Sequence, residues 1–471
     1  MKSFFLTCSF ALLISCLQSH KADMECMFAQ GLTDVDCGYV AVPAKRSEQN
    51  SGQIQIAYLV LKAKKQSTKD PIIFLQGGPG APAISSMSVV FQNNTLRKDR
   101  DIVLVDQRGT GFSEAHCDEL GSQFMAIMAQ DLTAREEYNH ILKIAQDCKY
   151  ELSDQSIDLS SYTIAENAPD IEEVRKYLGY DKVVIMGGSY GTRLGLEYMK
   201  TYPMNVSASI LLGLFPHHVS LYENIFTNLN ASLRLVFKSC ADNSECREAY
   251  PNLEERFYKI KTQLMAEPYA FKYNNGIFYM NAQDMLLLVH QMLYHPALIA
   301  RIPEFVKAIE HKNPGPVRVS LQITESTMKL INGVMYWSVM SQEERPFVGA
   351  EAFQLDMEKN KHLMPGPAFF ISDLKLQQEW MDQSVDKTFK LPVQSDIPTL
   401  LVNGGFDPVT PISNAESTLQ YLSKGQLVKF PMNSHSLMNA CFFELVRAFL
   451  RDPESPADGS CAQKSNGFNW E

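Results

Sequence analysis

The 471-residue sequence carries 43 Lys and Arg against 53 Asp and Glu, a net charge of −10, with 45% apolar and 20% charged residues. That length exceeds one small core and suits one large α/β domain with an insertion, or two domains. The acidic balance excludes the basic footprint of a nucleic-acid binder, and no long charge run, internal repeat or low-complexity tract is present.

Residues 1–22 read as an export signal. Lys2 precedes the apolar stretch from Phe4 to Leu17, which is too short to span a bilayer comfortably. Leu13-Ile14-Ser15-Cys16 has the form of a bacterial lipobox, in which Cys16 becomes the lipidated first residue; a plain cleaved signal peptide is the alternative. A membrane contact is expected only through such an N-terminal lipid anchor. Beyond Cys8 and Cys16, eight of the ten cysteines remain, an even number that suits an exported, oxidising setting. Connectivity stays open on sequence alone. Pairing of near neighbours is expected: Cys26 with Cys37, Cys117 with Cys148, Cys240 with Cys246, Cys441 with Cys461. No CxxC pair occurs, which argues against a zinc ribbon, and no metal is expected.

Further along, 54–61 alternates in the manner of an early strand, and 71–75 and 101–105 are short β-rich runs that each end in a glycine-containing loop. Ile171, Val174 and Leu178 recur at helical spacing within 165–178, before Gly179. Strands follow at 182–186 and 207–214, then at 399–402 and 425–430, with a helix around Phe442 to Leu450. Strands alternating with helices predict a mostly parallel sheet. From 215 to 394 the pattern is mainly helical, as in 282–295, and reads as an insertion between two core strands. The Met and Leu stripe there reads as packing.

Gly187-Gly188-Ser189-Tyr190-Gly191 fits G-x-S-x-G between a strand and a helix. Such a turn is too sharp for large neighbours, lifts the serine Oγ to the carboxyl edge of the sheet, and aims the next N–H, that of Tyr190, at a developing oxyanion. Asp407 lies just past the strand 399–402, and His435 just past 425–430. The order Ser189, Asp407, His435 is that of the α/β-hydrolases. His290 and His295 lie in the helical insertion, and His217 and His218 precede the acid, so they are less well placed. The loop 74–80, FLQGGPG, offers a second oxyanion donor at Gly78 or its neighbour Gly77. Asp106 and Arg108, in DQRGTGFSE, are placed to pair and brace the surrounding loops.

Taken together, GGPG, DQRGTGFS, GGSYGT and GGFDPVTP followed by the histidine segment resemble the proline iminopeptidase and tripeptidyl aminopeptidase branch of the α/β-hydrolase serine peptidases. The resemblance covers about 23–214 and 395–471. Cys441 and Cys461 resemble the cysteine pair of the secreted tripeptidyl aminopeptidases. It implies an α/β-hydrolase fold whose core, 23–214 and 395–471, is closed over by a helical cap, 215–394. It implies an exopeptidase whose partner is a peptide with a free N-terminus and which needs no cofactor. Ser189 would attack, His435 would shuttle the proton and Asp407 would orient the imidazole.

Departures are also present. Gln76 stands where relatives carry histidine, Leu212-Gly213 where they carry Asp-Gly, and Ser434 and Ser436 flank His435 in place of glycines. In 338–347, Ser341 stands at a cysteine position ahead of Glu343 and Glu344, the acidic pair expected to face the substrate's ammonium. An esterase with the same triad, indifferent to a free amine, is the alternative reading; a peptide-binding lipoprotein without catalysis is a third.

Overall fold

The computed structural model describes residues 27–470, apart from 114, 116, 118, 119, 465 and 466. The expected export signal with Cys16, and Cys26 of the first expected disulfide, lie outside the described residues. Among the described residues, ten strands form. They are β1 (Val35–Pro43), β2 (Gln53–Leu61), β3 (Ile72–Leu75), β4 (Ile102–Val105), β5 (Val183–Gly188), β6 (Val206–Leu212), β7 (Tyr269–Tyr273), β8 (Gly276–Met280), β9 (Thr399–Gly404) and β10 (Gly425–Phe430).

Eight of them make one sheet in the order β1-β2-β4-β3-β5-β6-β9-β10. β2 runs antiparallel to both β1 and β4, and every pairing from β4 to β10 is parallel. The central strands read as unbroken apolar runs because both faces are covered: all residues of β3, β4 and β5 are buried. Ile73, Leu75, Val103 and Ile185 point into the core on one face. Ile72, Phe74, Leu104 and Val184 point into the core on the other. The edge strand β1, absent from the sequence reading, alternates buried and exposed positions and carries Gly38 and Pro43, so it offers little of the apolar signal that marks its neighbours.

Residues between β6 and β9 fold mainly into helices, with the antiparallel hairpin β7–β8 as the one sheet of the segment. Their apolar faces share a second core around Phe226, Leu233, Phe257, Leu286 and Phe305. The insertion is not a detached lid. Helices Gly333–Glu343 and Ala368–Trp380 place Val334, Trp337, Val339, Leu376 and Trp380 in the core that covers one face of the sheet. Three expected disulfides form: Cys117–Cys148, Cys240–Cys246 and Cys441–Cys461. Cys37 is also disulfide-bonded.

Candidate active site

The parallel strands all deliver their carboxyl ends to one edge of the sheet, and that edge is where chemistry-bearing loops gather. β5 ends at Gly188. The next residue, Ser189, has φ 55° and ψ −126°, and helix Tyr190–Thr201 begins immediately after it. A non-glycine residue at positive φ is a strained turn held by its surroundings. Here the surroundings are tight. A side chain on Gly191 would sit 2.0 Å from the Leu75 carbonyl oxygen, and one on Gly77 would sit 2.8 Å from Ser189 Cβ. The strand-to-helix elbow and the 76–80 loop therefore touch through glycine because nothing larger fits.

At the ends of β9 and β10, Asp407 and His435 meet. His435 Nδ1 lies 2.8 Å from Asp407 Oδ2. Thr410 Oγ1 donates to the same oxygen at 2.6 Å and lies 3.1 Å from His435 Nδ1. Val409 and Thr410 N–H groups donate to Asp407 Oδ1 at 2.9 and 2.8 Å. Burial of Asp407 would push its carboxyl up, but the His435 charge, the bond to it and the Thr410 donors hold it below the usual range. A carboxylate on Nδ1 fixes the proton there and leaves Nε2 as the free lone pair. The end of β6 links both halves: Ser189 N–H donates to Leu212 O at 2.9 Å, and Gly213 lies against the His435 ring. The structure thus gathers Ser189, Asp407 and His435 at one corner of the sheet edge.

The two flanking serines have a structural task. Ser434 Oγ has the carbonyls of Leu293 and Phe406 within reach as acceptors for its one proton, and Ser436 N–H donates to Tyr294 O at 2.8 Å. The histidine loop is thereby tied to the insertion, and the Tyr294 ring stands edge-on to His435 at 4.8 Å.

Gln76 changes the oxyanion loop. Its Nε2 donates to Ser86 Oγ at 2.8 Å, and its Oε1 accepts the Gly77 N–H at 3.0 Å. Of the three expected donors, Gly77 is thus engaged in the free protein, while Tyr190 and Gly78 flank the turn. Asp106 and Arg108 do not pair. Asp106 accepts N–H bonds from Ile84 and Phe112, while Arg108 forms a bidentate pair with Asp170 at 2.7 and 2.9 Å.

The expected acidic pair does not face a cleft. Glu343 and Glu344 are both fully buried. Glu344 already holds two cations, Arg193 at 3.0 Å and Lys390 at 3.2 Å, and accepts the Leu221 N–H. Glu343 accepts the Ile164 N–H, and burial pushes its carboxyl up to about 8. Successive residues on a helix point about 100° apart, so neighbouring acids need not share a surface.

A different acid of the insertion gathers donors from separate elements. Asp373, on helix Ala368–Trp380, accepts at Oδ2 from Tyr222, from Tyr336 at 2.6 Å and from Gln377 at 3.1 Å. Neither it nor Thr410 was singled out in the sequence. Asp373 sits in no motif. Thr410 sits in one, three residues past Asp407, where a side chain can fold back on the same loop.

A strained serine at a β-strand elbow, with a carboxylate–histidine pair beside it at the edge of a parallel sheet, defines an α/β hydrolase. Residues 70–277 match the family model described as alpha/beta hydrolase fold, and 369–461 match that of TAP-like protein. Serine protease Hip1 of Mycobacterium tuberculosis (strain ATCC 25618 / H37Rv) is 22% identical, over 90% of this chain and 86% of its own. YuaR of Escherichia coli (strain K12) is 23% identical, over 92% and 89%. The proline iminopeptidase of Neisseria gonorrhoeae is 32% identical over a shorter stretch, 31% of this chain and 33% of its own. The chain is thus an α/β hydrolase in fold with a TAP-like C-terminal portion, and serine peptidases stand among its relatives.

Proposed function

We propose that this chain is an exported serine aminopeptidase that releases residues from free peptide N-termini through Ser189, His435 and Asp407. The observation that carries the reading is the built pair of His435 and Asp407, braced by Thr410, at the same corner as the strained Ser189. Ser189 Oγ attacks the scissile carbonyl while His435 Nε2 takes its proton. The oxyanion forms against the Tyr190 N–H and the 77–78 loop, where Gly77 becomes a donor once the Gln76 side chain yields. His435 then gives the proton to the leaving amine, and water activated by the same imidazole resolves the acyl-enzyme. Export is supported by the disulfides, which persist in oxidising compartments. The peptidase names of Hip1 and of the proline iminopeptidases favour a peptide over an ester substrate.

A matched panel tests the reading: a prolyl anilide, an Ala-Ala-Pro anilide, the same tripeptide acetylated, and a butyrate ester, each with the wild type and Ser189→Ala. Cleavage of free-amine anilides, lost on acetylation and in the variant, is the expected result, and it separates single-residue from tripeptide release. Turnover of the ester alone would leave a hydrolase but remove the peptidase.

A further inference from the structure

An enzyme that requires a free amine must offer the ammonium an anion, because a cation withdrawn from water needs a partner. Glu343 and Glu344 are sealed from any cleft. Among the described residues Glu343 Oε2 has no hydrogen-bond partner, but it lies inside a fully buried side chain that no substrate amine reaches. Two further buried carboxylates near the sheet are engaged. Asp170 holds Arg108 and Arg46, and Asp106 spends both oxygens on backbone N–H groups.

Asp373 is different. All three of its donors, Tyr222, Tyr336 and Gln377, converge on Oδ2. Among the described residues no donor reaches Oδ1 and no cation pairs with the carboxylate, although the side chain keeps partial exposure. It is a half-buried acid with one oxygen outside the donor set and no paired cation; burial pushes its carboxyl up, and the Tyr222, Tyr336 and Gln377 bonds oppose that rise.

Its place is fixed from two sides. Tyr336 stands in the first turn of helix Gly333–Glu343, whose cap residue Asn332 donates its N–H to Gly80 O of the oxyanion loop at 2.9 Å. Phe369, one helical turn before Asp373, packs on His290 at 5.6 Å; His290 packs on Tyr294 at 5.3 Å, and Tyr294 on His435 at 4.8 Å. Asp373 is therefore joined through packed neighbours to the oxyanion loop on one side and to the histidine on the other.

We propose that Asp373, held by Tyr222, Tyr336 and Gln377, is the anion that receives the α-ammonium of the peptide substrate at Oδ1. This rests on the aminopeptidase reading above. The two tyrosine hydroxyls and the glutamine amide keep the carboxylate rigid and aim its bare oxygen, so the site recognises charge without new ordering on binding.

The test compares the wild type with Asp373→Asn and Asp373→Glu. The Ala-Ala-Pro anilide reports amine-dependent turnover, and labelling of Ser189 by a small fluorophosphonate reports the triad without an amine. Asp373→Asn is expected to lose about 100-fold in kcat/KM on the anilide, the scale of a truncated buried charge pair, with labelling unchanged and Asp373→Glu recovering part of the loss. An Asn variant within about threefold of a wild type that still rejects the acetylated peptide overturns the assignment alone. A wild type indifferent to acetylation fails the aminopeptidase reading and the assignment with it. Should the Asn variant fail to fold, a structure of Ser189→Ala with the tripeptide decides: an ammonium at Asp373 Oδ1 supports the proposal, and one placed elsewhere refutes it.

Discussion

Thr410 is the side chain that turns a carboxylate–imidazole contact into a fixed geometry. Its hydroxyl donates to Asp407 Oδ2 and stands beside His435 Nδ1, so it limits rotation of both groups. Replacing it by valine keeps the shape and removes the bond. A hydrogen bond to a charged group contributes about 1.5–3 kcal/mol, so Thr410→Val is expected to lower kcat by about 10- to 100-fold with KM little changed. Steady-state kinetics on the tripeptide anilide checks this; a rise in KM alone would make Thr410 a binding residue. Nearly all of the triad corner was legible in the sequence, because Ser189, Asp407 and His435 each follow an apolar run and loops after strands carry function. The acidic pair misled for an equally local reason. Two adjacent glutamates look like surface charge, yet one caps the turn at Ile164 and the other answers Arg193.

At the scale of elements, the insertion is fastened to the catalytic core through the helix that follows the elbow. Arg193 on that helix is fully buried, pairs with Glu344 of the insertion, and lies 3.5 Å over the Phe215 ring. Lys390 reaches the same carboxylate. Breaking such a pair strands a charge. Arg193→Met is expected to destabilise by about 3–5 kcal/mol, and Arg193→Met with Glu344→Met by clearly less, since with both partners gone Lys390 is the one full charge of the cluster left unpaired. Urea unfolding of the three variants measures the coupling; equal losses for the single and double variants would mean that the pair is not the fastening. Helix Ala134–Asp154 carries its own start signal in the sequence. Thr133 and Glu136 form a reciprocal capping box at its start, the spacing that announces a helix N-terminus. No comparable signal announces Asp373, Tyr222 and Tyr336, which lie on separate elements and meet only when the insertion packs.

The whole molecule joins a sheet whose order follows from apolar strands and parallel crossovers to a mainly helical insertion between β6 and β9. The first part is readable because both faces of β3, β4, β5, β6 and β9 are buried and leave apolar runs. The second is not, because contacts within the insertion are set by packing across long stretches of chain, as for Tyr222 and Asp373, separated by 151 residues. Everything in the proposed chemistry depends on Ser189 being a nucleophile activated by its surroundings. The direct measurement is the mass of the intact protein and of its Ser189 peptide after brief exposure to a fluorophosphonate. One adduct is expected, on Ser189, absent in Ser189→Ala and formed much more slowly in His435→Ala. No adduct, or an adduct on another residue that persists in Ser189→Ala, would contradict that chemistry.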